Sequence, residues 1–397
     1  MKINKLIIAL LIVCLLFAGC KPKPVEQPEG SGETIEPAGD VTTLEDENYT
    51  YEKFLQNAQT ISEKYSDKVQ MGVFGKSAFN RELLYFAIGS QNAQKKILVV
   101  AGINGNESAF SLLATKQIET YLEDLSRTYK NKSYQQILDS CRIYFVPMLN
   151  PDGISIALKG IESVPEDKKQ AVEEIYSYSL EQGLLEKKTG YSSWRANGLG
   201  VDLSMNFGVG KVASSAVQTR AASKGYPEHQ LSSPESSAIA GLIQNNNIDS
   251  VIAYSGSGNI VDWQFGQTVA SLQQSLDISN ELAALTGFSR VDVGGPTKKN
   301  FITMSVKDWF IAEFDKPAFT LSLGNPEDKN SLNEDELRAV WNVTSLVPIV
   351  LAWNTAFYVA TPVIPEQTPT LAPGQKPAPT PTLVPGQTPQ VDYDYID

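Results

Sequence analysis

A chain of 397 residues with a single histidine has little room for metal or general-base chemistry. Imidazole is the commonest neutral metal ligand and the side chain best suited to moving protons near neutral pH. The one histidine, His229, lies in the polar stretch Gly225-Tyr-Pro-Glu-His-Gln230, which reads as a surface loop. Cysteine is no substitute. Cys14 and Cys20 fall in the N-terminal leader, and Cys141 opens an apolar run as a packed thiol, so no disulfide framework is available. Four ionisable groups stand out from the rest. Glu107 precedes a helical stretch, where a carboxylate either binds a metal or ligand or is favoured by the helix dipole. Arg195 either holds an anionic ligand or pairs with a local carboxylate. Asp152 and Asp202 sit in turn sequences, where a carboxylate commonly holds backbone N–H groups. Serines are present, but a hydroxyl without a base is not an activated nucleophile.

The elements that must position these groups alternate along residues 44–360. Tyr51 to Tyr65 has the apolar spacing of a helix, and strand-like runs follow at Val69–Phe74 and Leu83–Ile88. Lys96–Ala101, Ile143–Met148, Ser250–Tyr254 and Ala318–Leu323 are near-continuous apolar runs, the pattern of sheet strands covered on both faces. Ser108–Leu122 and Glu334–Tyr358 read as helices. This alternation predicts an α/β domain with a mixed central sheet and helices on both faces. A ligand site is then expected beyond the carboxyl ends of the strands.

The ends differ from the middle. Residues 1–20 have a basic start (Lys2, Lys5), a short apolar run from Ile7 to Phe17, and then Ala18-Gly19-Cys20. This is a secretory signal, and its end resembles the lipobox of bacterial lipoproteins, with Phe17 where leucine is usual. The resemblance implies lipidation at Cys20 and an extracytoplasmic protein anchored to the bacterial cell membrane. Residues 21–43, rich in Pro, Glu and Gly, read as a flexible tether. Residues 361–397 form a Pro/Thr-rich tail with a near-repeat, Thr368-Pro-Thr-Leu-Ala-Pro-Gly-Gln375 and Thr380-Pro-Thr-Leu-Val-Pro-Gly-Gln387, which favours extended conformations and cannot bury a core. The formal net charge of −12 disfavours nucleic acid as a partner.

Several short motifs in the middle domain, taken in order, carry a resemblance. They are Gly102-Ile-Asn-Gly-Asn-Glu107, Asn150-Pro-Asp-Gly153, Trp194-Arg-Ala-Asn-Gly-Leu-Gly-Val-Asp-Leu203, Ser233-Pro-Glu235, Lys307-Asp-Trp-Phe-Ile311 and Lys316-Pro-Ala-Phe-Thr320. Their order and spacing resemble the M14 zinc-carboxypeptidase family, nearest to its bacterial γ-D-glutamyl–diamino acid peptidase branch. The resemblance implies a zinc-carboxypeptidase-like (phosphorylase/hydrolase-like) architecture and, in active members, a zinc held by His, Glu and His. It also implies a catalytic glutamate, an oxyanion arginine and an Asn-Arg grip on a substrate carboxylate. Here the two histidine positions are Asn104 and Ser255, and only Glu107 matches the ligand set. The grip reads Ser204-Met205, the catalytic glutamate is Ser322, and a mobile-loop tyrosine would fall near Asn300 or Phe301. Arg195 and Asn206 match their positions.

One carboxylate with an amide and a hydroxyl is a poor zinc site, since zinc sites rely largely on imidazole and thiolate donors. No metal, cofactor or catalytic residue is therefore expected. The reading is a catalytically inactive, envelope-bound protein that binds or scaffolds, with cell-wall (peptidoglycan) peptides as possible partners and Glu107, Arg195, Asn206 and Trp309 as candidate ligand contacts. The alternative is an active M14 metallopeptidase with a rebuilt metal site.

Overall fold

The computed structural model describes residues 41–45, 48–208, 216–225, 229–256, 258–291, 305–324 and 332–359. The leader, most of the tether, Asn300 and Phe301, and the tail lie outside these residues.

The chain opens with α1 (Tyr51–Lys64), the hairpin β1 (Val69–Lys76) and β2 (Glu82–Ile88), then β3 (Lys95–Val100) and α2 (Ser108–Glu123). A two-stranded ribbon, β4 (Thr128–Tyr129) and β5 (Lys132–Ser133), leads through α3 (Tyr134–Ser140) into β6 (Cys141–Val146). Helices α4 (Pro151–Lys159), α5 (Lys169–Glu181) and α6 (Pro234–Asn246) precede β7 (Ser250–Gly256) and β8 (Ile260–Asp262). The chain continues through α7 (Val269–Thr286), β9 (Ser289–Val291), α8 (Val306–Phe314), β10 (Ala318–Leu323), α9 (Glu334–Thr344) and α10 (Val347–Phe357).

Eight strands form one sheet in the order β1-β2-β6-β3-β7-β10-β8-β9. Its centre is parallel (β6, β3, β7, β10), and β2 and β8 join that centre antiparallel, so the sheet is mixed. Strand β3 shows why its sequence is apolar without alternation. Ile97 and Val99 enter the core under α2 and α10, while Leu98 and Val100 enter the core under α6 and α8. Successive side chains point to opposite faces, and both faces here are covered.

Two boundaries differ from the sequence expectation. Glu334–Tyr358 is two helices, not one. Pro348 stands in the first turn of α10 and has no N–H for the carbonyl of Thr344, so the helix breaks there. Gln117 Nε2 caps the Thr344 carbonyl at 3.0 Å, and the Tyr121 hydroxyl caps that of Ser345. At the other end, Val41 and Thr42, within the expected tether, are held against the domain. The N–H groups of Val41 and Thr42 donate to the two oxygens of the buried Glu119 at 2.7 and 3.0 Å, and Thr42 is buried.

Candidate functional site

The parallel strands end on one side of the sheet, and the loops beyond them carry most of the motif residues. Gly102 leaves β3 with a φ of +58°, a conformation that only glycine adopts freely, and its backbone starts the turn toward Glu107. The loops are tied to each other through backbone atoms. Gly105 N donates to Arg195 O at 2.8 Å, and Asn150 Nδ2 faces the carbonyls of Ile103, Arg195 and Ala196 at 3.0–3.3 Å. Gly105 permits this approach, because a Cβ there would meet Trp194 O at 2.5 Å and Gly153 O at 2.7 Å.

Asn104, Glu107 and Ser255 meet in three dimensions, and they bond to one another. Glu107 Oε1 accepts from Asn104 Nδ2 (2.6 Å), Ser255 Oγ (2.9 Å) and Gly256 N (2.8 Å), and Oε2 accepts from Asn104 N (3.0 Å). Asn104 Nδ2 also lies 3.3 Å from Ser255 Oγ. The amide cannot be reversed, since its oxygen would then face a carboxylate oxygen. Among the described residues, Asn104 Oδ1 is left without a hydrogen-bond partner although Asn104 is fully buried.

Ser322 pairs with Ser255 in the β7–β10 register, so the two hydroxyl-bearing residues stand side by side near the carboxyl ends of these strands, each partly exposed. These residues do not fit zinc. The only carboxylate among them already accepts four hydrogen bonds, the amide turns its nitrogen toward that carboxylate, and what remains is two hydroxyls and the Asn104 amide oxygen, with no imidazole or thiolate. Among the described residues no three His, Cys, Asp or Glu side chains cluster as metal ligands would.

Arg195 stands beside this loop, with its side chain about one-third exposed and its Nε 3.8 Å from Asp202 Oδ2. Asp202 serves several groups at once. Its Oδ1 accepts from Ser204 N (3.1 Å) and Ser204 Oγ (2.6 Å), and its Oδ2 accepts from Lys224 N (2.9 Å). It therefore shapes the short 3-10 turn Leu203–Met205, on which Ser204 and Met205 are partly exposed.

Two expected ligand contacts are corrected. Asn206 is fully buried and spends its amide on the neighbouring loop. Its Nδ2 donates to His229 O (3.2 Å) and Ser232 Oγ (2.9 Å), and its Oδ1 accepts from Ser233 N (3.0 Å). Trp309 is a core residue 4% exposed, packed against Phe207 and Phe314. The Lys-Asp pair ahead of it is an internal ion cluster. Lys307 Nζ contacts Asp262 Oδ1 (2.9 Å), Asp308 Oδ1 (2.7 Å) and Gln264 O (3.2 Å). Burial alone would lower the affinity of Lys307 for its proton, but the two carboxylates more than offset it and raise its pKa. His229 is exposed, and Cys141 is a buried free thiol whose pKa burial pushes up.

Sequence reading passed over one group that matters to the site. Glu235, in the first turn of α6, is fully buried. Its Oε1 accepts from Ala78 N (2.9 Å) and its Oε2 from Asn197 Nδ2 (2.9 Å). Burial, and then the nearby Asp152 carboxylate, push its pKa up from 4.5 to about 7. Asp152 grips the same β1–β2 turn through Phe79 N (2.7 Å) and Arg81 (2.7 Å), and burial raises its pKa as well. Asn197 Oδ1 in turn accepts from Leu199 N and Val201 N, so Glu235 braces the loop that carries Arg195.

The comparisons with known proteins agree with this fold. The family model described as zinc carboxypeptidase, peptidase M14, matches residues 54–345. Gamma-D-glutamyl-L-diamino acid endopeptidase 1 of Lysinibacillus sphaericus is 24% identical over 292 residues, covering 72% of this chain and 68% of its own length. Thrombin-activatable fibrinolysis inhibitor has the same fold with a TM-score of 0.61 at 17% identity, over 80% of this chain and 77% of its own. Carboxypeptidase A of Helicoverpa armigera follows at 0.56 and 17% identity, over 80% and 77%. With the match spanning most of the sheet and its helices, the chain belongs to the M14 zinc-carboxypeptidase family.

Proposed function

We propose that this protein is a non-catalytic M14 member that binds peptides in the cleft at the strand ends, held at the bacterial cell envelope by a lipid on Cys20. The observation that carries the reading is the Glu107 cluster. A carboxylate that accepts four hydrogen bonds has its lone pairs engaged by protein donors, which would have to be displaced for it to ligate a metal. Ser322 offers no carboxylate to take a proton from water, and among the described residues the histidine ring is not in the cleft. The similarity to an endopeptidase named for γ-D-glutamyl-L-diamino acid substrates supports cell-wall peptides as the ligand class. Met205, at the position of the carboxylate-gripping arginine, makes an internal, amide-rich segment a better ligand than a free C-terminus.

The alternative is an active metallopeptidase, which family membership favours. The deciding experiment loads the full chain with zinc, removes unbound metal, and measures zinc per chain together with hydrolysis of γ-glutamyl and C-terminal peptide bonds. The expected result is far less than one zinc per chain and no turnover above buffer. Stoichiometric zinc with turnover that disappears in Glu107→Ala would establish the alternative. Calorimetry with soluble wall fragments then tests binding, with Arg195→Ala weakening it.

A further inference from the structure

The sheet has an open edge. Strand β1 pairs with β2 on one side, and among the described residues no strand pairs with its other side. Along such an edge alternate residues turn their N–H and C=O groups outward, toward any extended chain that comes alongside. Helix α6 lies against this strand. Gly75 permits that, since a Cβ there would meet Ala238 Cβ at 2.5 Å. Strand and helix border a groove of about 310 Å³, into which Val73, Phe74 and Tyr85 face from the hairpin and Ser237, Gly241 and Asn245 from α6. Val73 is 51% exposed, which is unusual for a large apolar side chain in the described structure.

Two features of this face have no explanation within a single chain. The first is Gly241. It stands inside α6, where glycine is the least favourable residue apart from proline, yet a Cβ there would meet nothing within 4 Å. Gly183 and Gly287 are equally uncrowded, but their left-handed φ values account for them, and Gly241 has no such φ. A glycine that neither the backbone nor a neighbour requires is explained by a chain that approaches from outside. The second feature is charge. The chain carries a formal net charge of −12, yet β1 and α6 together hold only Glu235, which is buried, and Lys76 at the strand's end. A second copy is repelled by most of this acidic surface, but not by this face.

We infer that this face pairs with a second copy of the chain, β1 against β1, antiparallel about a two-fold axis near Val73, so that the sheet continues from one copy into the other. Such an axis brings the two Val73 side chains together. It turns Lys76 of each copy toward the neutral Gln70 of the other, so no like charges meet. It also sets the two α6 helices side by side on one face of the joined sheet, with Gly241 and the small Ser237 and Ala238 between them. Antiparallel pairing turns the second copy end over end, so the two clefts open at opposite ends. The inference does not depend on what the clefts bind.

The test is sedimentation velocity of the full chain carrying Cys20→Ala, so that no lipid draws copies together. The expected species has twice the chain mass of 43.4 kDa and dissociates on dilution. Gly241→Gln fills the space between the helices, and Val73→Lys sets two like charges across the axis. Each should weaken the dimer about tenfold or more. Both should keep native circular dichroism, because Gly241 has no neighbour to displace and Val73 is half exposed. In a third variant, Val73→Cys, mild oxidation should link the dimer by a disulfide, whereas Val269→Cys, also exposed, should not be linked; the remaining cysteine, Cys141, is buried. A chain that sediments as a monomer throughout would overturn the inference, and protection of the β1 amides from hydrogen exchange in that monomer would assign the edge to a segment of the same chain. A dimer unaffected by Gly241→Gln and Val73→Lys, or crosslinking no faster through Val73→Cys than through Val269→Cys, would place the contact elsewhere and overturn it as well.

Discussion

Replacing Glu235 with glutamine should remove most of a pH dependence of stability that the native chain shows between pH 5 and 8. Glu235 is fully buried, accepts only two neutral N–H donors in the described structure, and lies near a second buried carboxylate, Asp152. Its pKa is therefore raised from 4.5 to about 7. A group whose pKa is higher in the folded state binds a proton more tightly there than in the unfolded chain. Its stabilising contribution is complete below pH 4.5, and it declines as pH rises through about 7. At about 1.4 kcal/mol per tenfold change in proton affinity, that difference is roughly 3 kcal/mol. Asp152 is raised too and adds to the same trend, so the native slope alone does not isolate Glu235. The comparison with Glu235→Gln does. Glutamine places an NH₂ against either Ala78 N or Asn197 Nδ2, which adds a cost that does not vary with pH. The assay is urea unfolding followed by tryptophan fluorescence at pH 5, 6, 7 and 8, with stability extrapolated to water at each. The native chain should lose more stability from pH 5 to 8 than the variant, by roughly 2.5 kcal/mol, the rest of the effect lying below pH 5. Parallel pH profiles for the two proteins would refute the reasoning.

Three further outcomes follow from single contacts. Gly105→Ala places a Cβ 2.5 Å from Trp194 O and 2.7 Å from Gly153 O, both backbone atoms that cannot swing aside, so its urea midpoint should fall by the equivalent of about 2–3 kcal/mol. Lys307→Met leaves Asp262 and Asp308 without their shared cation and should cost about 3 kcal/mol or more; a loss below about 1 kcal/mol would show that the ion cluster is not needed. Cys20→Ala should abolish incorporation of labelled lipid and release the protein from the membrane fraction, and unchanged labelling would refute the lipobox reading.

Much of the scaffold was legible in the sequence, because its signals are local. The apolar runs at Lys96–Ala101, Ser250–Tyr254 and Ala318–Leu323 coincide with β3, β7 and β10, and Tyr51–Tyr65 with α1. The break before α10 was misread although Pro348 is visible, because the apolar spacing continues across it. Short strands such as β8 and β9 have too few residues to show a period. The site was half legible. Residue types show that Asn104, Glu107 and Ser255 make a poor zinc site. They do not show that these residues satisfy one another, since the Ser255–Glu107 bond joins positions 148 apart. Glu235 reads as an ordinary acid in a helix's first turn, and its burial depends on a hairpin 157 residues away. Asn206 and Trp309 were misjudged for the same reason. An amide or an indole suits a cleft or an interior equally, and here the 229–233 loop and the α8 packing decide for the interior.

The Glu107 cluster also shows how a buried carboxylate is accommodated at the junction of α2 with β7 by hydrogen bonds alone. In a low-dielectric interior a lone carboxylate is costly, whereas one with several hydrogen bonds is tolerated. A metal ion would meet that need with charge. Here the need is met by four N–H and O–H donors, and two of them come from Asn104 alone. With apolar side chains at positions 104 and 255, Glu107 would retain only Gly256 N and the residue 104 N–H, and a buried anion left short of donors would strain the junction of α2 with β7. The surrounding loops do not depend on the cluster in any case, because Gly105, Asn150 and Arg195 are joined through backbone carbonyls. The scaffold and the reacting groups are thus held by separate sets of bonds. That separation means that the strand ends and the loops above them are tied together independently of the side chains of Asn104, Ser255 and Ser322.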